Sequence, residues 1–409
     1  MTRIKLGTLC VAVGILAGIA VSAFLFSLEW ATQLRLRFPV LLYALPIGGL
    51  LVAFIYHHFG QSSYLGNHLI LEEFHHPRQA LPWRMAPFVF LGTVVTHLLG
   101  GSAGREGTAV QIGAVLADQW RRFFPIQPHE RQVLLAAGIS AGFGAAIGVP
   151  FAGMIFGMEV TQIGKIRIPY AIYCLLASFA GYLTCLVLQA PHSEFISFLM
   201  PQVNLLMVSY LLGVGLLFGL CARSFSYTTH KLSAVFAKYM PYPPLRALVG
   251  GILLVALFSW EGSGRFLGLG MPVIHESLQT YQSIWDPIKK LFFTALTLAA
   301  GFKGGEFTPL VFIGATLGSA VAELLAMPPS FLAALGFAAV FAGCANTPLA
   351  CAVMAAELFG WRILPFSLLT CYLSHLVSGY LGIYQHQLIV AKKWQHFARL
   401  WGAMTRRGK

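Results

Sequence analysis

Apolar runs follow one another along this chain almost without linkers. Charge-free stretches cover 38–56, 85–104, 132–158, 168–193, 195–222, 247–260, 307–322, 324–356 and 363–391, after an opening run over 6–28. A helix that crosses the hydrocarbon of a bilayer needs about 20 apolar residues, and several runs have that length. Others do not. The segment from Gly107 to Ala117 is short and stops at Asp118, while 324–356 is too long for one helix and is interrupted by Pro328-Pro329 and Asn346-Thr347-Pro348. Such interruptions predict discontinuous or re-entrant helices, which are tolerated at membrane depth only where they are buried in protein or line a cavity. The pattern predicts an all-α integral membrane protein of the transporter or channel type. The opening run exceeds the 7–15 apolar residues of a cleaved signal peptide, so an uncleaved helix is expected there.

Composition agrees. Of 409 residues, 57% are hydrophobic and 10% charged, against roughly 25% charged in soluble domains; the mean hydropathy is +0.73. The net charge of +13 would suggest a nucleic-acid partner in a soluble protein. Here the basic residues sit at the edges of apolar runs: Arg35 and Arg37, Arg121 and Arg122, Lys165 and Arg167, and the tail from Lys392 to Lys409. That placement reads as cytoplasmic loops and snorkelling anchors in a lipid bilayer, with no nucleic acid. The seven cysteines lie inside apolar segments without CxxC or metal spacing, so they read as packing residues. The histidine pairs His57-His58 and His75-His76 form no HExxH-like constellation and read as interfacial. No metal or cofactor is expected.

The chain repeats itself. GREGTAVQIGAVLA at 104–117 returns as GGEFTPLVFIGATLG at 304–318, with Glu106 matched to Glu306, Thr108 to Thr308 and, after one inserted residue, Ile112-Gly113-Ala114 to Ile313-Gly314-Ala315. A second block, 136–160, returns at 334–358: Gly138, Phe143, Pro150, Ala152 and Glu159 meet Gly336, Phe341, Pro348, Ala350 and Glu357. Pro and Glu keep the same separation in both copies. Duplication places a binding site at the interface of two halves, 1–200 and 201–409, near the bilayer midplane.

The repeated motifs have a chemistry. Each sets glycines before a short apolar helix, so unpaired N–H groups and the positive end of a helix dipole favour an anion. Asn346-Thr347-Pro348 is expected to open a further helix of this kind, with proline in its first turn. Conduction also requires that the ion can leave, which dipoles permit better than a fixed cation. Glu106 competes with an anion for those N–H groups when ionised and releases them when protonated. The alternative is a structural pair with Arg105, which adjacency in a helix disfavours. Intramembrane carboxylates are functional by default.

GSAGREGTAVQIG resembles the GREGP motif of the CLC family of anion channels and proton-coupled antiporters, and GGEFTPLVFIGA resembles that family's GxFxP motif, with Phe307 and Pro309 in register. The block AAGISAGFGAAIGVPFAGMIFGMEV resembles the segment after the gate. The resemblance covers nearly the whole chain. It implies halves of inverted topology, a homodimer with one anion path per subunit and a multi-pass location in the cell (inner) membrane. It makes Glu106 the extracellular-facing gating glutamate and gives Tyr384 the place of a tyrosine whose hydroxyl contacts the central anion. Gly104, Arg105, Gly107, Phe307 and Thr308 become candidate anion-binding residues.

Departures from the pattern point to a branch. Asn67, in GNHLILEEFHH, stands where the chloride-handling members have the serine of GSGIP; Glu306 occupies a usually apolar position; Val160 replaces an inner proton-relay glutamate and leaves Glu159 alone. Together these resemble the fluoride-exporting branch. Fluoride is small and strongly hydrated, so stripping its water demands good hydrogen-bond donors, and Asn67, Thr308 and Tyr384 are candidates. Glu306 repels an anion unless protonated, which favours a proton-linked role over a salt bridge to Lys303. The expected function is exchange of fluoride for protons, with chloride/proton antiport or a passive chloride channel as the alternatives.

An enzyme is disfavoured. Gly138-Ile139-Ser140-Ala141-Gly142 spells GxSxG, but a nucleophile elbow needs a preceding strand and an Asp/His pair. The surroundings are a Gly/Ala-rich helix whose repeat carries Ala338 in place of Ser140, and the two aspartates, Asp118 and Asp286, flank helices. A non-transporting scaffold is disfavoured by the ionisable residues inside the repeats. The sequence after the last apolar run leaves no room for a cytosolic regulatory domain.

Overall fold

The computed structural model describes residues 2–195 and 198–393; most of the basic tail lies outside them. Sixteen α-helices fall within the described residues. The first eight are α1 (Arg3–Arg37), α2 (Leu45–Phe59), α3 (Asn67–His75), α4 (Met85–Leu98), α5 (Glu106–Gln119), α6 (Pro128–Ile147), α7 (Pro150–Glu159) and α8 (Ala171–Val187). The next eight are α9 (Leu205–Tyr239), α10 (Pro243–Glu261), α11 (Met271–Ser277), α12 (Trp285–Ala299), α13 (Phe307–Leu324), α14 (Pro329–Ala345), α15 (Pro348–Phe359) and α16 (Leu364–Val377). Two short parallel strands, β1 (Gln162–Ile163) and β2 (Leu388–Ile389), tie the C-terminal segment to the end of α7.

Packing repeats along with the sequence. α1 lies on α8 as α9 lies on α16; α5 lies on α6 as α13 lies on α14; α6 lies on α8 as α14 lies on α16. The close approach is made by the same glycines. A Cβ on Gly113 would strike the carbonyl of Gly138, and one on Gly314 would strike that of Gly336. α2 packs on α10 and α7 on α15, each helix on its own counterpart.

The α7–α15 pair fixes the relation between the halves. Glu159, ending α7, accepts from the N–H groups of Leu349 (3.1 Å) and Ala350 (2.8 Å) at the start of α15. Glu357 accepts from those of Phe151 (3.0 Å) and Ala152 (2.7 Å) at the start of α7. Each carboxylate meets the positive end of the other's helix. The counterparts therefore run antiparallel, and a two-fold relating antiparallel helices runs across them. Across a membrane, that relation makes the halves inverted.

Among the described residues, six helical segments are long and apolar enough to cross a bilayer: Arg3–Arg37, Pro39–Phe59, Ile168–Val187, Leu205–Tyr239, Pro243–Glu261 and Phe307–Leu324. Apolar side chains such as Ile15, Leu16 and Ile19 on α1 and Leu212, Leu216 and Leu220 on α9 are exposed, as a lipid-facing surface requires. The chain is a multi-pass membrane protein. α1 outruns the apolar stretch that predicts it and continues to Arg37, since charges at a helix end can reach the interface. α5, by contrast, is almost wholly buried; its 14 residues span about 21 Å, short of a hydrocarbon core about 30 Å thick. The stretch 324–356 breaks where its prolines fall. α14 ends at Ala345, Asn346 takes a left-handed φ of 59°, and α15 starts at Pro348. The seven cysteines carry free thiols.

Candidate ion pathway

The two glycine motifs meet head to head. Gly104 and Gly305 form an antiparallel bridge, each N–H donating to the other's carbonyl at 2.6 and 2.7 Å. This pairing gives the repeat its register. Arg105 and Glu306 hold the N-cap positions, and Glu106 and Phe307 open α5 and α13. Glu306 is thus the counterpart of Arg105, and the inserted residue that matches it to Glu106 in sequence is not needed. Gly104 is corrected too: the bridge takes its N–H, so it shapes the site without donating to an ion.

The remaining donors converge. The first i→i−4 bonds of α5 and α13 are made by Ala109 to Arg105 and by Leu310 to Glu306. The N–H groups of Gly107, Phe307 and Thr308 come before them and lack helical acceptors. Asn67 starts α3, and its Oδ1 is buried without a partner. A carbon added to Gly107 would lie 3.5 Å from Asn67 Nδ2, 3.8 Å from Glu306 Oε2 and 3.1 Å from Gly305 Cα. One glycine therefore marks the meeting of three helix starts and a carboxylate. Only glycine leaves that space open.

Glu106 lies beside this point. Its Oε2 accepts from the Thr308 hydroxyl at 2.6 Å and from the Arg105 N–H at 3.1 Å, and its Oε1 pairs with Arg105 Nε at 3.4 Å. The Arg105 pair that adjacency disfavours is therefore present, alongside a shorter bond from the opposite half. Arg105 also reaches Ser193 through Nη2 at 3.5 Å; its guanidinium serves the carboxylate rather than the meeting point at Gly107. Thr108 shares a bond with Thr93 at 2.8 Å.

Two voids flank the junction. A cavity of about 1100 Å³ is lined by Asn67, Glu306, Lys303 and Gln111 among others, and a void of about 20 Å³ by Glu106, Arg105, Phe307, Thr308 and Ser193. Ser193 precedes the start of α9, whereas Thr229 and His230 on the cavity wall lie toward its far end. Glu106 lines the smaller void and Glu306 the larger. Phe307 packs edge-on against Phe341 at 4.6 Å, and Phe143, Phe156 and Phe341 stack on one another. Tyr384 is buried against Phe156.

One sequence expectation changes. The start of α15 is not open to an ion, because Glu159 takes its N–H groups; that bond also makes Glu159 a helix cap. Among the described residues no ion pair joins Lys303 to Glu306; the Lys303 ammonium sits over the Tyr56 ring at 4.2 Å. Ser140 lies buried in mid-helix, while Asp118 pairs with Arg131 at 2.6 Å and accepts the Leu81 N–H, so nothing assembles around GxSxG. Gln111 and the aromatic wall escape sequence reading, since a glutamine or phenylalanine in a membrane helix carries no signal of its own.

The sequence pattern of the voltage gated chloride channel family matches residues 48–379. The chain belongs to this CLC family. Within it, a chloride/fluoride channel protein of Pseudomonas syringae pv. tomato is 44% identical over 384 residues, 92% of this chain and 85% of that protein. The H(+)/Cl(-) exchange transporter ClcA of Salmonella arizonae is 26% identical over 73% of this chain and 67% of its own length. The solved structure of a CLC-type fluoride/proton antiporter superposes with a TM-score of 0.91 at 33% identity, covering 95% of this chain and all of that one. CLC proteins are transporters and channels, in keeping with a non-enzymatic role.

Proposed function

We propose that this CLC protein exchanges fluoride for protons, exporting fluoride across the inner cell membrane. The observation that carries the proposal is the Thr308–Glu106 bond at 2.6 Å beside the helix starts of both halves. While ionised, Glu106 holds the Thr308 hydroxyl and the Arg105 N–H that an anion would otherwise use. Protonation of Glu106 weakens that hold and frees the Thr308 donor. Asn67 Nδ2, the N–H groups of Gly107, Phe307 and Thr308, and the Tyr384 hydroxyl are then the donors that replace fluoride's water.

Glu306 borders the large cavity beside Asn67 and serves as the inner proton site in place of Val160. The cavity opens to the cytoplasm, because Lys231, Lys238 and Arg246 cluster at its end of the molecule and Lys165 and Arg167 beside β1, as cytoplasmic loops require. The halves divide near residue 200, between α8 and α9; the protein works as a homodimer. The test is reconstitution in liposomes, with fluoride, chloride and proton fluxes recorded together. Fluoride flux well above chloride flux and accompanied by counter-moving protons is expected. Comparable chloride flux would identify a chloride/proton antiporter, and anion flux without protons a passive channel.

A further inference from the structure

We infer that His68, Gln385 and His230 form a strap that holds the two anion-site donors Asn67 and Tyr384 at a fixed spacing, and that protonation of His68 from the cavity opens it. His68 follows Asn67, and Gln385 follows Tyr384. The Gln385 N–H donates to His68 Nδ1 at 3.3 Å, and its side-chain Nε2 donates to His230 Nδ1 at 2.8 Å. His230 in turn faces the Gly382 carbonyl through Nε2 at 2.9 Å. A carbonyl only accepts, so that nitrogen carries a hydrogen, and His230 Nδ1 faces the Gln385 side-chain amide. His68 Nδ1 must be bare, because a backbone N–H only donates. The His68 ring is therefore neutral while the strap is closed.

A proton added at His68 Nδ1 replaces an acceptor with a donor facing a backbone donor, whereas the Gln385 amide can turn its Oε1 to a protonated His230 and keep that link. The link from α3 to the Tyr384 segment is then lost. His68, His230 and Gln385 all line the large cavity, and Gln385 is exposed, so cavity water can deliver the proton. The other titratable or charged groups around it are His386, whose ring meets His68 at 5.7 Å, and His57, Arg246, Lys303 and Glu306 on the same wall. Arg246, Lys303 and a protonated His386 oppose the added charge; Glu306 favours it. None replaces the lost acceptor. The strap places no atom on the ion; its members are positioning residues.

The inference rests on the transport reading and can be separated from it. Fluoride and chloride binding to purified full-length protein are measured by calorimetry, and flux in liposomes, at pH 4 and 7.5. Gln385→Ala should weaken binding of the transported anion at pH 7.5 by about five-fold, one hydrogen bond's worth. His68→Asn supplies, at Oδ1, an acceptor in the place of Nδ1 that does not titrate. This variant should match wild type at pH 7.5 and bind more tightly than wild type at pH 4. Titration of Glu106 and Glu306 is common to both proteins, so it cancels in the comparison. A pH profile for His68→Asn that superposes on wild type, or unchanged binding in a folded Gln385→Ala protein, overturns the strap. If chloride proves to be the transported ion, the fluoride reading fails and the same comparison is read with chloride. If wild type carries no anion, the transport reading fails, and the binding profiles still decide the strap.

Discussion

Thr308 donates its hydroxyl hydrogen to Glu106 across the junction of the two repeats. A carboxylate from one half is thus held by a donor from the other, beside helix starts contributed by both. Charge-assisted hydrogen bonds of this kind are stronger than neutral ones, so the ionised gate is anchored and its protonated form is released. Glu106→Gln cannot ionise. It should abolish proton movement while anion binding persists, as checked by recording proton and anion flux together. Thr308→Val removes the donor at nearly constant shape and should slow fluoride turnover by about ten-fold, whereas Thr308→Ser should retain most of it.

Asn67 is the donor on α3, with Nδ2 facing the space that Gly107 leaves open. Asn67→Ser exchanges an amide donor for a shorter hydroxyl. The ratio of fluoride to chloride flux should fall. An unchanged ratio would move selectivity to Thr308 and the Phe307 backbone.

Glu306 and Lys303 share the cavity wall without pairing. Glu306→Gln should slow or stop fluoride transport in a protein that still folds, because the inner proton site is lost. Lys303→Ala removes a cation held over Tyr56 and should have the milder effect. Size-exclusion profiles together with proton flux check this; equal damage and misfolding in both variants would instead make the pair structural.

Glu159 and Glu357 make equivalent caps across the two-fold. Glu159→Ala and Glu357→Ala should each leave a pair of N–H groups unsatisfied and cost about 1–3 kcal/mol. Thermal unfolding in detergent should show similar drops for the two, distinct from the transport defects above.

Much of the architecture was legible in the chain. Local chemistry announces itself wherever a residue type is incompatible with its surroundings. Charge-free runs read as spans, prolines at 328, 329 and 348 broke the helices where they stood, and Glu106 among glycines marked the junction where helix starts of both halves meet. Register and partnership were not legible, because they depend on which backbone lies opposite. Sequence matching paired Glu106 with Glu306; only the Gly104–Gly305 bridge aligned Glu306 with Arg105. Asn346-Thr347-Pro348 correctly opened α15, but whether its N–H groups faced an ion or a carboxylate was decided by Glu159, nearly 200 residues away. The same holds for His68, Gln385 and His230. Their roles exist only through hydrogen bonds that folding creates between α3, α9 and the C-terminal segment.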